Sequence, residues 1–147
     1  MIRTHDGPRR GVRYRARPGA YAVVLHPRGL LVTIQRDAAG GPEVQLPGGG
    51  IDPGEGAVRA LHREVREETG WTVAVLRRIG AHRRFVWMPD YGIQAEKVCH
   101  VYLARAGVRR GPPLEPGHDA AVMAPGAALA ALGVEGDRRM LAAALGF

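Results

Sequence analysis

The sequence has one cysteine, a single lysine and few aromatic side chains among its 147 residues. A solitary Cys99 excludes a disulfide framework and a cysteine-based metal site, and it is expected as a small apolar residue in a strand. Aromatics at 5% leave little for base stacking, which argues against nucleic acid as the main partner without removing it. No run reaches the ~18–20 apolar residues of a membrane span. The N-terminus lacks a signal peptide's apolar run and a transit peptide's amphipathic pattern. A cytoplasmic protein with no membrane partner is the expectation.

What is present is enough apolar sequence, 46%, for one globular domain with a real core. The net charge is +7, from 21 basic and 14 acidic residues, and Lys97 is the only lysine, so the positive charge is nearly all arginine. Six arginines (Arg3, Arg9, Arg10, Arg13, Arg15, Arg17) stand in the first seventeen residues against one acid, Asp6. Residues 1–17 show no periodicity and read as a mobile or loosely docked basic arm, with residues 18–147 as the domain. The arm suits attraction of polyanions; the alternative is a solvated basic segment.

Along the domain, Ala20–Leu25 and Leu30–Gln35 are β-rich runs flanking His26-Pro27-Arg28-Gly29, a hairpin signal. Val44–Leu46 leads into a rigid turn and glycines, Leu46-Pro47-Gly48-Gly49-Gly50. Thr72–Leu76 and Ile79–Trp87 read as two strands, Met88–Gly92 as a turn and Glu96–Ala104 as a further strand. Arg109–Asp119 is a Pro/Gly-rich loop before a short run at Ala120–Met123, and Ala127–Leu132 and Asp137–Leu145 read as terminal helices. This order predicts a mixed sheet flanked by helices, an α/β sandwich.

The chemistry concentrates in GGGIDPGEGAVRALHREVREETGW, Gly48 to Trp71. Gly56–Thr69 is rich in helix formers, and Gly70 is placed as its C-terminal stop. On such a helix Glu64, Glu67 and Glu68 share one arc, while Val58, Leu61 and Val65 can pack on the sheet. Like-charged neighbours at this spacing cost about 0.2–0.5 kcal/mol per pair. A divalent cation reverses the balance, since one unit-charge attraction at 4 Å and an effective dielectric of 20 is worth roughly 4 kcal/mol. Oxygen-only ligands suit Mg²⁺, with Mn²⁺ as a substitute, and not zinc. A solvated acidic face partnered by Arg59, Arg63 and Arg66 is the alternative. The glycines let main chain approach a metal or phosphate closely.

The full pattern is Gly49, five residues, Glu55, seven residues, Arg63-Glu64-Val65, one residue, Glu67-Glu68, one residue, Gly70. It closely resembles the Nudix box of the MutT-like Nudix hydrolase superfamily, departing only at Trp71, where a branched aliphatic is usual. The resemblance implies a Nudix-type α/β/α sandwich and Mg²⁺-dependent hydrolysis of a pyrophosphate linkage in a nucleoside diphosphate derivative. It implies Glu64 and Glu68 as principal metal ligands, Glu67 as adjacent ligand or water-activating base, the Gly49 carbonyl as an oxygen ligand, and Glu55 as holder of a metal-bound water or second ion. Arg63 is then the residue that fixes a carboxylate's rotamer. A late-loop acid serves in several family members; Asp119 ranks first here, ahead of Glu115 and Glu96. Phe85, Trp87 and Tyr91 are candidates for a base-stacking wall, with Arg83 or Arg84 on a phosphate. His82 and His100 read as packed or surface histidines, and His118 belongs to the loop.

The family's marks for ADP-ribose, dinucleoside polyphosphate, NADH and coenzyme A substrates are absent. A nucleoside triphosphate or nucleotide-sugar is the default small-molecule substrate. An RNA 5′-end pyrophosphohydrolase drawing on the basic arm, and a non-catalytic Nudix-like nucleotide-binding module, are the alternatives. The residues do not fix the oligomeric state, while the resemblance suggests a homodimer.

Overall fold

In Gly19–His26, sequence GAYAVVLH, apolar residues fill both sides of the segment, the pattern of a strand covered on both faces. The structure, a computed structural model that describes residues 7–147, makes it a central strand, β2. It pairs antiparallel with Gly29–Gln35 (β3) across a turn at Pro27-Arg28, and parallel with Ile93–Arg109 (β7). Arg15–Ala16 (β1) runs parallel to β7, and Trp71–Met88 (β6) antiparallel to it. Glu43–Gln45 (β4) and His118–Met123 (β8) each pair antiparallel with β3, and Gly48–Gly50 (β5) with β2.

Alternation along the strands sorts the core into two layers. Ala22, Val24, Leu31, Tyr102 and Ala104 pack against Ala60, Leu61 and Val65 of the helix Ala57–Thr69 (α1). Their neighbours Val23, Leu30, Val32 and Val101 face the other way, onto Ala128 and Leu132 around Pro125–Ala131 (α2) and Leu141 of Glu135–Leu145 (α3). The mixed sheet lies between, giving an α/β/α sandwich. Each fully buried leucine of these layers contributes about 1.5–3 kcal/mol. Val58 shares the arc of Val65 but sits in the first turn of α1 and is exposed.

Several segments differ from the sequence reading. The two strands expected at 72–76 and 79–87 are one strand, because register shifts on either side of Arg77 and Arg78 absorb the break as β-bulges. The strand expected at 96–104 runs on to Arg109. The glycine run is itself strand-paired, not only a turn. Gly48 has φ +148, and a Cβ there would overlap the Ala20 carbonyl, so glycine alone lets β5 lie this close to β2. The first six residues of the basic segment lie outside the described residues. The sheet reaches back into that segment: β1 joins the edge, the Arg17 amide donates to the Glu96 carbonyl at 2.9 Å, and Tyr14 meets Phe85 edge-on. Trp71 packs edge-on against His26 with centroids 5.3 Å apart. Among the described residues, no helix is long and apolar enough to cross a membrane.

Candidate active site

α1 starts after Gly56, in extended conformation, and stops at Gly70, which caps it in the left-handed region with its amide on the Arg66 carbonyl. The helix packs beside β5, so its inner carboxylates meet the glycine strand. Glu68 is buried at 7% exposure and accepts the Gly48 amide at 2.9 Å. Its other oxygen lies 3.6 Å from His118 Nδ1, which is also 3.1 Å from Thr33 Oγ1. Loss of solvent pushes the Glu68 carboxyl up to about 8, with the charges of Glu64 and Glu115 adding to the rise. Glu64 is also raised, by desolvation first and then by Glu67 and Glu115. A Cβ on Gly49 would overlap the Glu64 carboxylate, so the second glycine of the strand is a cradle for that side chain.

The outer half of the cluster is organised by Arg63. Its Nε and Nη2 donate to the two oxygens of Glu55 at 2.9 and 2.7 Å, a bidentate pair. Nη1 reaches Glu64 at 3.0 Å and Glu67 at 3.4 Å, and Nη2 also donates to the Gly50 carbonyl at 3.0 Å. These bonds hold the Glu55 carboxyl down at about 2 and raise the guanidinium further. Arg63 therefore fixes carboxylates, and Glu55 is its principal partner.

As the side chains stand, no three His, Cys, Asp or Glu groups among the described residues close to chelating geometry. Glu64, though it also accepts from Arg63, meets Gly49, and with Glu68 it forms the pair at the glycine strand. The donor set nevertheless fits a hard cation. Both acids offer only oxygen, their proton affinities are raised partly by like charge, and Gly49 has no side chain to block the approach.

Of the late-loop acids, the structure brings Glu115 to the cluster. The Glu115 and Leu114 amides both donate to the Glu67 carbonyl at 2.8 Å, and the Glu115 charge is felt by Glu64 and Glu68. Asp119 is turned instead to an ion pair with Arg36. The reason is alternation in β8: His118 faces Glu68, so its neighbour faces away. Glu96 is paired to Arg83 at 3.2 Å.

The expected stacking wall divides. Tyr91 carries the Arg17 guanidinium 4.5 Å over its ring and lines an open cleft of about 580 Å³ with Glu55, Glu64 and Met88. Trp87 lines a separate cleft with Arg9, Tyr14 and Phe85. Arg83 sits over buried Phe85, on the other side of the strand from Arg84. Arg84 lines a third, narrower pocket of about 220 Å³ that Glu68 and the glycine strand border.

That third pocket holds the residues the motif does not reveal. Lys97 donates to the Tyr21 hydroxyl at 3.2 Å, and Gln45 donates to Gln35 in its lining. Burial pushes the Lys97 amine down, the Tyr21 phenol up, and the Cys99 thiol to about 11. The one usable signal is compositional: a chain that otherwise uses only arginine places its sole lysine here. His82 is buried and bonds Asp137 of α3 at 3.0 Å, a packed histidine.

A family model described as the NUDIX domain matches residues 15–144. A Bacillus subtilis (strain 168) protein provisionally named an 8-oxo-dGTP diphosphatase is 39% identical over 66 residues, covering 45% of this chain and 43% of the relative. The match thus spans less than half of that relative's length. Among solved structures, a NUDIX hydrolase from Nitrosomonas europaea superposes with a TM-score of 0.71 at 18% identity, covering 88% of each chain. A MutT NUDIX hydrolase from Burkholderia pseudomallei gives a TM-score of 0.59 at 25% identity, covering 86% of this chain and 96% of its own.

Proposed function

The chain belongs to the NUDIX family, and from that premise we propose that it is a Mg²⁺-dependent hydrolase of the pyrophosphate linkage in a nucleoside diphosphate derivative. The substrate class is a nucleoside triphosphate or nucleotide-sugar. The observation that carries the reading is the meeting of Glu64 and Glu68 at Gly48-Gly49, two carboxylates with raised proton affinity against a strand that has no side chain of its own. A divalent cation, Mg²⁺ or Mn²⁺, supplies charge neutralisation for the phosphate oxygens when bound there.

The chain's own groups do the rest. Glu64 and Glu68 would hold the cation, and the Gly48 amide fixes the Glu68 carboxylate. Arg63 locks Glu55 and steadies Glu64 from the solvent side. Glu67, one-third exposed beside Arg63, has room to take a proton from the attacking water, with Glu115 sharing that field. Such an arrangement lowers the barrier by positioning and charge compensation, with no covalent intermediate.

The test is purified protein with Mg²⁺ against a panel of nucleoside triphosphates, nucleotide-sugars and, following the Bacillus subtilis relative's name, 8-oxo-dGTP. Released phosphate and pyrophosphate are measured. Metal-dependent release from a member of the panel supports the reading; release that persists undiminished in chelator overturns it.

A further inference from the structure

Arg84 on β6 and Lys97 on β7 stand directly opposite each other in the strand pairing. Like charges in that relation destabilise a sheet, so the pair needs a reason. Neither is neutralised by an acid in contact: the ion pairs among the described residues include neither side chain. Arg84 Nε, like Arg83 Nε on the opposite face of the strand, is buried with no hydrogen-bond partner among the described residues, and a charged donor left unpaired in this way is costly. Lys97 gives one hydrogen to Tyr21 and has others to offer.

Three acceptors around the same pocket already take one hydrogen bond each from the protein. Glu68 takes the Gly48 amide, Asp137 takes His82, and the Gln35 carbonyl takes Gln45. Arg84 and Lys97 add unspent donors to this pocket of about 220 Å³, next to the carboxylates proposed above.

We propose that Arg84 and Lys97 form a donor-only subsite that receives an acceptor-only edge of the substrate and so sets its specificity. Two sources carry that chemistry: the carbonyl edge of a guanine- or uracil-type base, which arginine and lysine read through acceptor atoms, and the oxygens of a terminal phosphate. A base with an amino group at the same position presents hydrogens to Arg84 and Lys97 and is disfavoured. The inference rests on the nucleotide reading of the site, but metal-free binding tests it separately from turnover.

The experiment titrates the full chain, in chelator, with GMP, UMP, AMP, CMP and inorganic pyrophosphate by calorimetry, for wild type, Lys97→Met and Arg84→Lys. Lys97→Met removes the opposed charge, so its melting temperature is expected at or above that of wild type; Arg84→Lys keeps the charge and deletes the Nε donor. If the base edge is the source, wild type prefers a keto base, and both variants lose about 10-fold on it while pyrophosphate is unchanged. If phosphate is the source, pyrophosphate and all nucleotides weaken together by about that factor. Wild-type binding of every probe by both variants, or no probe bound by wild type, overturns the subsite. A wild-type chain that binds keto nucleotides yet hydrolyses none would sink the hydrolase reading and leave the subsite standing.

Discussion

Two carboxylates bracket the same helix and live in opposite conditions. Glu55, in the loop before α1, is held by both arms of Arg63 and gives up its proton down to about 2. Glu68, at the inner end, is buried against Gly48 and holds its proton up to about 8. The first charge is satisfied by the protein itself. The second is left in deficit, met by one backbone amide and His118 at 3.6 Å with other acids nearby, and a fold retains such a deficit where an external cation resolves it. On the proposed reading, Arg63 and Glu55 are scaffold, and Glu64 and Glu68 are the cation-holding end.

The largest expected effect comes from neutralising that inner end. Glu68→Gln should lower Mg²⁺-dependent turnover on the order of 10²–10³-fold or more, while its melting temperature stays at or above wild type because a desolvated acid is gone. Phosphate release and thermal melts read the two arms; a variant with near-normal turnover breaks the contrast. Next is Gly49→Ala, whose methyl overlaps the Glu64 carboxylate. Displacing that side chain by about 1 Å should cost roughly 100-fold in turnover, with little change at Glu55.

At the outer end, Arg63→Lys should cost less activity, about 10-fold, because lysine keeps the charge and loses the fork. Glu55 releases its proton more readily folded than unfolded, so its pair with Arg63 supports the fold above the usual carboxylate range and fades as pH falls toward 2. The variant should lift the Glu55 titration, followed by carboxyl NMR, back toward ordinary values; an unmoved titration would remove Arg63 as its cause. The smallest effect sharpens the picture of the inner side. Cys99, whose thiol is pushed to about 11 by burial, should react with a thiol reagent at pH 8 far more slowly than in denaturant. Equal rates would mean the pocket wall is open.

The helix and its acids were readable because their geometry is local: 3.6 residues per turn places Glu64, Glu67 and Glu68 without any knowledge of the sheet. Gly70 as a stop and the β2–β3 hairpin are local in the same way. What sequence could not supply depends on register. Asp119 and Glu115 are both loop acids by composition, and only the pairing of β8 with β3 decides that His118 faces Glu68 and Asp119 faces Arg36. Arg84 and Lys97 are thirteen residues apart and become neighbours through the β6–β7 pairing. Trp87 and Tyr91, grouped by proximity in sequence, open onto different clefts because Trp87 ends β6 while Tyr91 stands in the turn after it.

The most direct measurement is calorimetric titration of Mg²⁺ into the wild-type chain and Glu68→Gln, with a non-hydrolysable nucleotide present. A saturable site is expected in wild type, weakened at least about 10-fold in the variant. Equal affinity in both proteins, or no magnesium binding by wild type, would contradict it.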